Sequence, residues 1–282
     1  MKRTAVLFLA AFLCLVAAPA LRAQGIVDPV VSGDTLTARI ELPEGVGADL
    51  TIAFERAVGL TPDALGLSAR LVDLSDPAIL SRFPSSGVSI PTGFPVLLSI
   101  EPPATGGLSF SGIAAVAFHT HNLTFTANTP LRLFKSSDGG AFEDVTETMG
   151  MGSYRARGTS PGFSEWLIVA DVRPLNAVIA GKFNRLQGLL AEHEAAIAPA
   201  VHADLVDRLA AARASYQAGA LVTAIQQVEG FAAAVQAHSG SDIPDVWRSA
   251  RDLTNVAGTL RAAAGTLRFS INLKSNSAGP SL

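Results

Sequence analysis

His119 and His121 come nearest, by type and spacing, to a site that does chemistry. Two positions apart on a strand, they point to one face, a spacing that metal sites use. A catalytic zinc takes three protein ligands and leaves one position open for water. No third ligand can be assigned: the nearest acids along the chain, Glu101 and Asp138, are remote, and a carboxylate from a neighbouring strand would have to be supplied by the fold. Strand alternation also puts both histidines on the face carrying Leu123 and Phe125, which favours a partly buried, hydrogen-bonded role. They are kept as weak metal candidates, and the expectation is no metal and no cofactor.

Other constellations fail at a defined position. His193-Glu194-Ala195-Ala196-Ile197 begins like the zinc-protease H-E-x-x-H but ends in isoleucine, so the second ligand is missing. Glu192, His193 and Glu194 read better as a solvated helix end. Gly162-Phe163-Ser164-Glu165-Trp166 starts like a nucleophile elbow, yet it ends in tryptophan and leads into a strand instead of leaving one. Asp138, Glu143, Asp144 and Glu147 are close enough in sequence to converge on calcium or to act as paired carboxylates. The turn explains Asp138, so a solvated hairpin face is preferred. Trp166 and Trp247 read as core anchors, because 2 Trp and 2 Tyr supply too few rings for a sugar-binding strip. Asn122-Leu123-Thr124 matches a glycosylation sequon, but a bacterial-type leader does not lead to that pathway. No catalytic residue is assigned.

The elements that would hold these residues follow from the N-terminus onward. Met1-Lys2-Arg3 is a short basic stretch, Ala5 to Ala18 is an uncharged apolar run, and Ala18-Pro19-Ala20 is an A-x-A site with Ala23 as a second. This is the layout of a cleavable secretory signal, with the mature chain starting at Leu21 or Gln24 and residing in the periplasm or the medium. Its apolar run is shorter than a bilayer span needs, and no later stretch is long enough either. Cys14, the single cysteine, lies inside the signal and follows Leu13, which does not fit a lipidation site. The mature chain therefore has no thiol chemistry and no disulfide. Losing Lys2, Arg3 and Arg22 moves the formal charge from −3 to −6. Most of the negative charge falls before Pro174. No basic field exists for nucleic acid, and that partner class is set aside.

From Asp34 to Asp171 the period is that of strands. Leu36 to Leu42 alternates apolar and polar, and short runs follow at Asp49–Phe54, Leu67–Val72, Pro95–Ile100, Leu108–Phe118, Leu131–Phe134, Phe142–Thr146, Tyr154–Arg157 and Phe163–Val169. Pro and Gly breakers separate them, and Ser137-Asp138-Gly139-Gly140 is a hairpin turn. Eight or nine short strands without long helices between them predict an antiparallel, Ig-like sandwich over residues 24–172. After Pro174 the period becomes helical. Stripes run through Ile179, Phe183, Leu186 and Leu190, through Leu205, Leu209, Ala212 and Tyr216, and through Leu221, Ile225, Val228, Ala232 and Val235. A fourth is read through Val246, Ala250, Leu253, Ala257 and Leu260, with Pro244 in its first turn. Gly219 and Gly240 stand where helices should stop. An antiparallel bundle of about four helices is expected over residues 173–268, resting partly on the sandwich, with 269–282 as a flexible tail.

Three resemblances attach to these stretches. Pro130-Leu131-Arg132-Leu133-Phe134, the Asp138-Gly139-Gly140 turn, Phe142-Glu143-Asp144-Val145-Thr146 and Gly162-Phe163-Ser164-Glu165-Trp166 resemble the last strands of sandwich modules on bacterial surface proteins. Tyr216-Gln217-Ala218-Gly219, Ala224 to Phe231, and Val235-Gln236-Ala237-His238-Ser239-Gly240 resemble the FIMAH module, a small helical unit at the C-terminus of many secreted bacterial proteins. The whole layout, with Phe118-His119-Thr120-His121-Asn122-Leu123 and Ile243-Pro244-Asp245-Val246-Trp247-Arg248, is similar to an uncharacterised family of proteobacterial exported proteins. That resemblance implies a fold and carries no site residues. The function expected is non-catalytic binding or scaffolding outside the cytoplasm, with envelope polysaccharide, peptidoglycan or another exported protein as partner. The alternative is an extracytoplasmic hydrolase using carboxylates or a His-based metal site.

Overall fold

The computed structural model describes residues 25–277. The expected signal peptide and its cleavage sites lie outside those residues. The architecture is α+β, with two antiparallel sheets and five helices among the described residues.

The strands are β1 (Ile26–Ser32), β2 (Thr35–Glu41), β3 (Gly47–Val58), β4 (Leu67–Leu71), β5 (Val88–Ser89), β6 (Val96–Ile100), β7 (Ser109–Thr124), β8 (Leu131–Ser136), β9 (Glu143–Asp144), β10 (Thr146–Gly150), β11 (Ser153–Ser160), β12 (Glu165–Asp171) and β13 (Val246–Arg248). The first sheet runs β1-β2-β3-β7-β11-β10, with β13 added to β7; the second runs β4-β6-β12-β8-β9, with β5 added to β12. Alternation decides which side chains go inward. Leu36, Ala38 and Ile40 of β2, Leu50 and Ile52 of β3 and Val116 and Phe118 of β7 are buried, as are Val96, Leu98, Leu133, Trp166 and Ile168 of the second sheet, and all belong to one apolar core. The reverse face of the second sheet is covered by the 73–94 segment, whose α1 (Pro77–Leu80) and Ile90 bury Phe134, Leu167 and Val169. The β8–β9 turn has the backbone its residues call for: Asp138 and Gly139 both take positive φ, and Gly140 N–H donates to Ser137 C=O.

Four longer helices follow: α2 (Leu175–Glu192), α3 (Pro199–Gln217), α4 (Leu221–Ala237) and α5 (Val256–Ser277). Their stripes close a second core through Ile179, Phe183, Leu205, Leu209, Val228, Phe231, Leu260 and Leu267. The left-handed Gly219 ends the α3 turn, and Gly240 follows α4.

Four readings are corrected. The fourth helical stripe starts too early: Val246–Arg248 is a strand paired with Ser109–Ser111, Pro244 precedes that strand, and the helix begins at Val256. Trp247 explains the difference. Its indole packs against Phe110 and Phe163, with ring centroids 5.3 and 5.4 Å apart, a burial worth more than continuing a helix whose Leu253 is exposed. Residues 269–277, expected in a flexible tail, are the last turns of α5, where Ser270 and Ile271 are buried. The Phe142–Thr146 run divides between the two sheets, as β9 and the start of β10. β1 was not expected; Asp28 at positive φ and a register irregularity between Val27 and Val30 break its alternation.

Candidate functional site: the cleft between sheets and helices

Asn255 begins the junction. Its side-chain oxygen accepts the N–H of Gly258 and caps α5, while its amide donates to the Gly112 carbonyl of β7 at 2.6 Å. One side chain thus starts a helix and fastens it to a sheet. Arg261 of α5 grips Glu55 of β3 through two bonds of 2.8 and 2.6 Å, and this bonding holds the Glu55 carboxyl below its usual range.

At the centre is a buried ion pair. Lys182 of α2 donates to Asp144 of β9 at 2.6 Å, and to Thr266 Oγ1 and Ser270 Oγ of α5 at 2.6 and 2.8 Å. Both side chains are nearly inaccessible, at 11 and 3 % exposure. Burial alone would push the Asp144 carboxyl up, but the Lys182 charge and the bonds from Thr146 outweigh it and hold the group below the ordinary carboxylate range. Burial likewise pulls the Lys182 ammonium down, against the attraction of Asp144. Three elements remote in sequence therefore meet on one charge pair.

Around this pair lies a cavity of about 460 Å³. Its floor is the β8–β9 hairpin with Thr159, Ser160 and Pro161; its walls are Ala177, Val178, Gly181, Arg185 and Leu189 of α2 and Thr259, Ala262, Ala263 and Thr266 of α5. Small residues, Ala177 and Gly181 of α2 and Ala262 and Ala263 of α5, form part of both walls. At Gly181 an added Cβ would meet nothing within 4 Å.

Lys135 lines the same cavity. It is buried, and its Nζ donates to Ser137 Oγ at 2.7 Å. Among the described residues its ammonium has no carboxylate in contact; Glu143 and Asp138 act from farther away, and Arg185 and Arg251 oppose them. Burial dominates and lowers its pKa to about 8. The other cations lining the cavity have acids of their own. Arg173 holds Asp171 through two bonds of 2.9 and 2.7 Å, Lys182 holds Asp144, and Arg185 lies 3.3 Å from Glu143.

The residues singled out by sequence are placed as follows. His119 and His121 flank one carboxylate, Asp49 of β3, at 3.1 and 3.4 Å. That acid is their cross-strand neighbour and some seventy residues away in the chain, so sequence spacing did not show it. The pair is a third to a half exposed and does not share the environment of Leu123 and Phe125, which pack on the core. A register irregularity between His119 and Thr124 re-aims the strand there. None of the three lines the cleft, and no cluster of three or more His, Cys, Asp or Glu suited to a metal is found among the described residues. Asn122, the sequon residue, bonds to Gly47 and Gly45.

Ser164 is buried, with its hydroxyl donating to Glu101 at 3.1 Å. His193 and Glu194 lie at the end of α2, Glu194 exposed. The four carboxylates of the hairpin region do not converge; Asp138 and Glu143 lie on a solvated face as expected, and that reading is corrected for Asp144 and Glu147, whose side chains are largely buried. Asp138 pairs with Arg251, Glu143 with Arg185, and Asp144 with Lys182. Glu147 bonds to Thr159, and burial raises its pKa. Trp166 is fully buried and Trp247 partly so, as core anchors should be.

Sequence reasoning passed over Lys135 and Lys182. For Lys135 a signal existed: Leu131, Leu133 and Lys135 share one phase of β8, so the lysine occupies a position where alternation calls for an apolar side chain.

No helix among the described residues is long and apolar enough to cross a membrane. A comparison with curated proteins finds no match. The profile of a family of unknown function, DUF6689, matches residues 10–274, and the chain belongs to that family.

Proposed function

We propose that this is a non-catalytic exported binding protein, an Ig-like sandwich joined to a FIMAH-like helical module, which takes its ligand in the cleft between them. The cavity at that junction carries the reading. Its volume falls within the range of small-molecule sites, and it combines apolar walls with a few convergent polar groups. The Lys182–Asp144 and Arg185–Glu143 pairs tie α2 to the β8–β9 hairpin, so these charges are engaged in holding the helices against the sheets. Export rests on the basic start, apolar run and A-x-A site of residues 1–23.

The hydrolase reading draws on Asp49 lying between His119 and His121. That cluster is on an open sheet face, whereas a catalytic centre needs a shaped site that excludes water.

Binding in the cleft is tested by amide chemical-shift changes of the mature protein against a library of small fragments of mixed charge. Shifts clustering on Val178, Ala262, Ala263 and Thr266 are expected. A library that perturbs none of these residues contradicts the reading.

A further inference from the structure

Lys135 is the one charge in the cleft that the fold leaves without a counter-charge in contact, among the described residues. Arg173, Lys182 and Arg185 each face a carboxylate, so the fold itself neutralises them. An ammonium buried on the inward phase of a strand, with one hydroxyl as acceptor, costs stability that an apolar residue there would not. Its two remaining N–H donors are unspent on the protein's side-chain acceptors. Beyond it Ala177 and Gly181 of α2 and Ala262 and Ala263 of α5 line the space, and a Cβ added at Gly181 would meet no atom within 4 Å.

We propose that the cleft binds a small amphiphilic organic monoanion, its carboxylate seated on Lys135 and its apolar body lying between Ala177 and Gly181 of α2 and Ala262 and Ala263 of α5. This deepens the binding reading above and rests on it. A single charge is argued from the count: one cation lacks a partner, so one negative charge completes the site, and a second would face Glu143 and Asp144. The body must be apolar because the walls offer methyl and methylene groups, and a cavity of about 460 Å³ has room for an aromatic-acid-sized molecule. Lysine suits this task as a compact point charge; it does not demand the planar two-point match that arginine does.

Benzoate and its neutral isostere benzamide are the probes, titrated calorimetrically into the mature protein and two variants. Lys135→Met removes the charge and keeps the chain's length. Gly181→Leu adds an apolar side chain to the α2 wall, where a Cβ meets no atom within 4 Å, and keeps the lysine at 135. The wild type is expected to favour benzoate over benzamide by about tenfold or more, the scale of one charged hydrogen bond. Lys135→Met should abolish that preference, and Gly181→Leu should weaken both probes alike. Equal binding of the two probes to the wild type, or a preference that survives Lys135→Met, overturns the proposal while leaving the cleft as a binding site. Failure of fragments of every charge to enter the cleft overturns the binding reading with it.

Discussion

Replacing Lys135 by methionine should make the protein more stable, and by an amount that depends on pH. The unfolded chain holds this ammonium with its ordinary pKa of 10.5, whereas burial brings it to about 8 in the folded protein. That difference of roughly 2.5 units corresponds to about 3 kcal/mol at about 1.4 kcal/mol per unit. The sign follows from proton counting. Between pH 8 and 10.5 the unfolded chain binds more protons at this site than the folded one, so the wild type gains stability as pH rises through that window. Below about pH 8 the full penalty is present. The neighbours acting on the site are Glu143, Asp138, Arg185 and Arg251; Lys182, also depressed by burial, is common to both proteins and cancels in the difference. Methionine removes the penalty and loses the bond to Ser137, about 1 kcal/mol. Lys135→Met should therefore exceed the wild type by about 2 kcal/mol at pH 7, with the gap closing toward pH 10.5. Urea unfolding of both proteins across pH 7 to 10.5 measures it. A variant less stable than the wild type at pH 7, or a gap that stays constant with pH, would refute the reasoning.

Three further outcomes are expected. Asp144→Ala strands Lys182 as a buried charge and should cost about 3–5 kcal/mol in urea unfolding; because the folded Asp144 pKa is lowered, its contribution in the wild type is present above pH 4 and disappears as the pH falls through the folded value. His119→Gln with His121→Gln, which breaks two half-exposed contacts to Asp49, should cost no more than about 1 kcal/mol and leave metal content unchanged by elemental analysis; stoichiometric zinc lost in the double variant would favour the hydrolase reading. Gly188→Ala in the middle of α2, where an added Cβ meets nothing within 4 Å, should raise the stability by about 0.5–1 kcal/mol by thermal unfolding.

What the sequence carried, and what it did not, follows from the range of each interaction. Leu36-x-Ala38-x-Ile40 shows a half-buried strand by itself, and Asp138-Gly139 shows a turn, because both patterns are local. The helical faces of α2, α3 and α4 were legible for the same reason. Val246 to Leu260 kept helical spacing by coincidence, and only the rings of Phe110 and Phe163, more than eighty residues away from Trp247, pull that segment into a sheet. The carboxylate beside His119 and His121 was equally hidden, since cross-strand pairing and not spacing brings Asp49 there. The cleft depends on three elements at once. Small residues on α2 and α5 read as bundle packing when each helix is taken alone, and they become walls only once Lys182 and Asn255 seat both helices against the sheets. Lys135 was the exception: its phase on β8 marked it as out of place before any tertiary contact was known.

A crystal structure of the mature protein grown with benzoate tests the central claim most directly. The account predicts density for one molecule in the cavity, its carboxylate within hydrogen-bonding distance of Lys135 Nζ and its ring between α2 and α5. A cleft in which the two helices close directly on the β8–β9 hairpin, or benzoate bound only elsewhere on the surface, would contradict it.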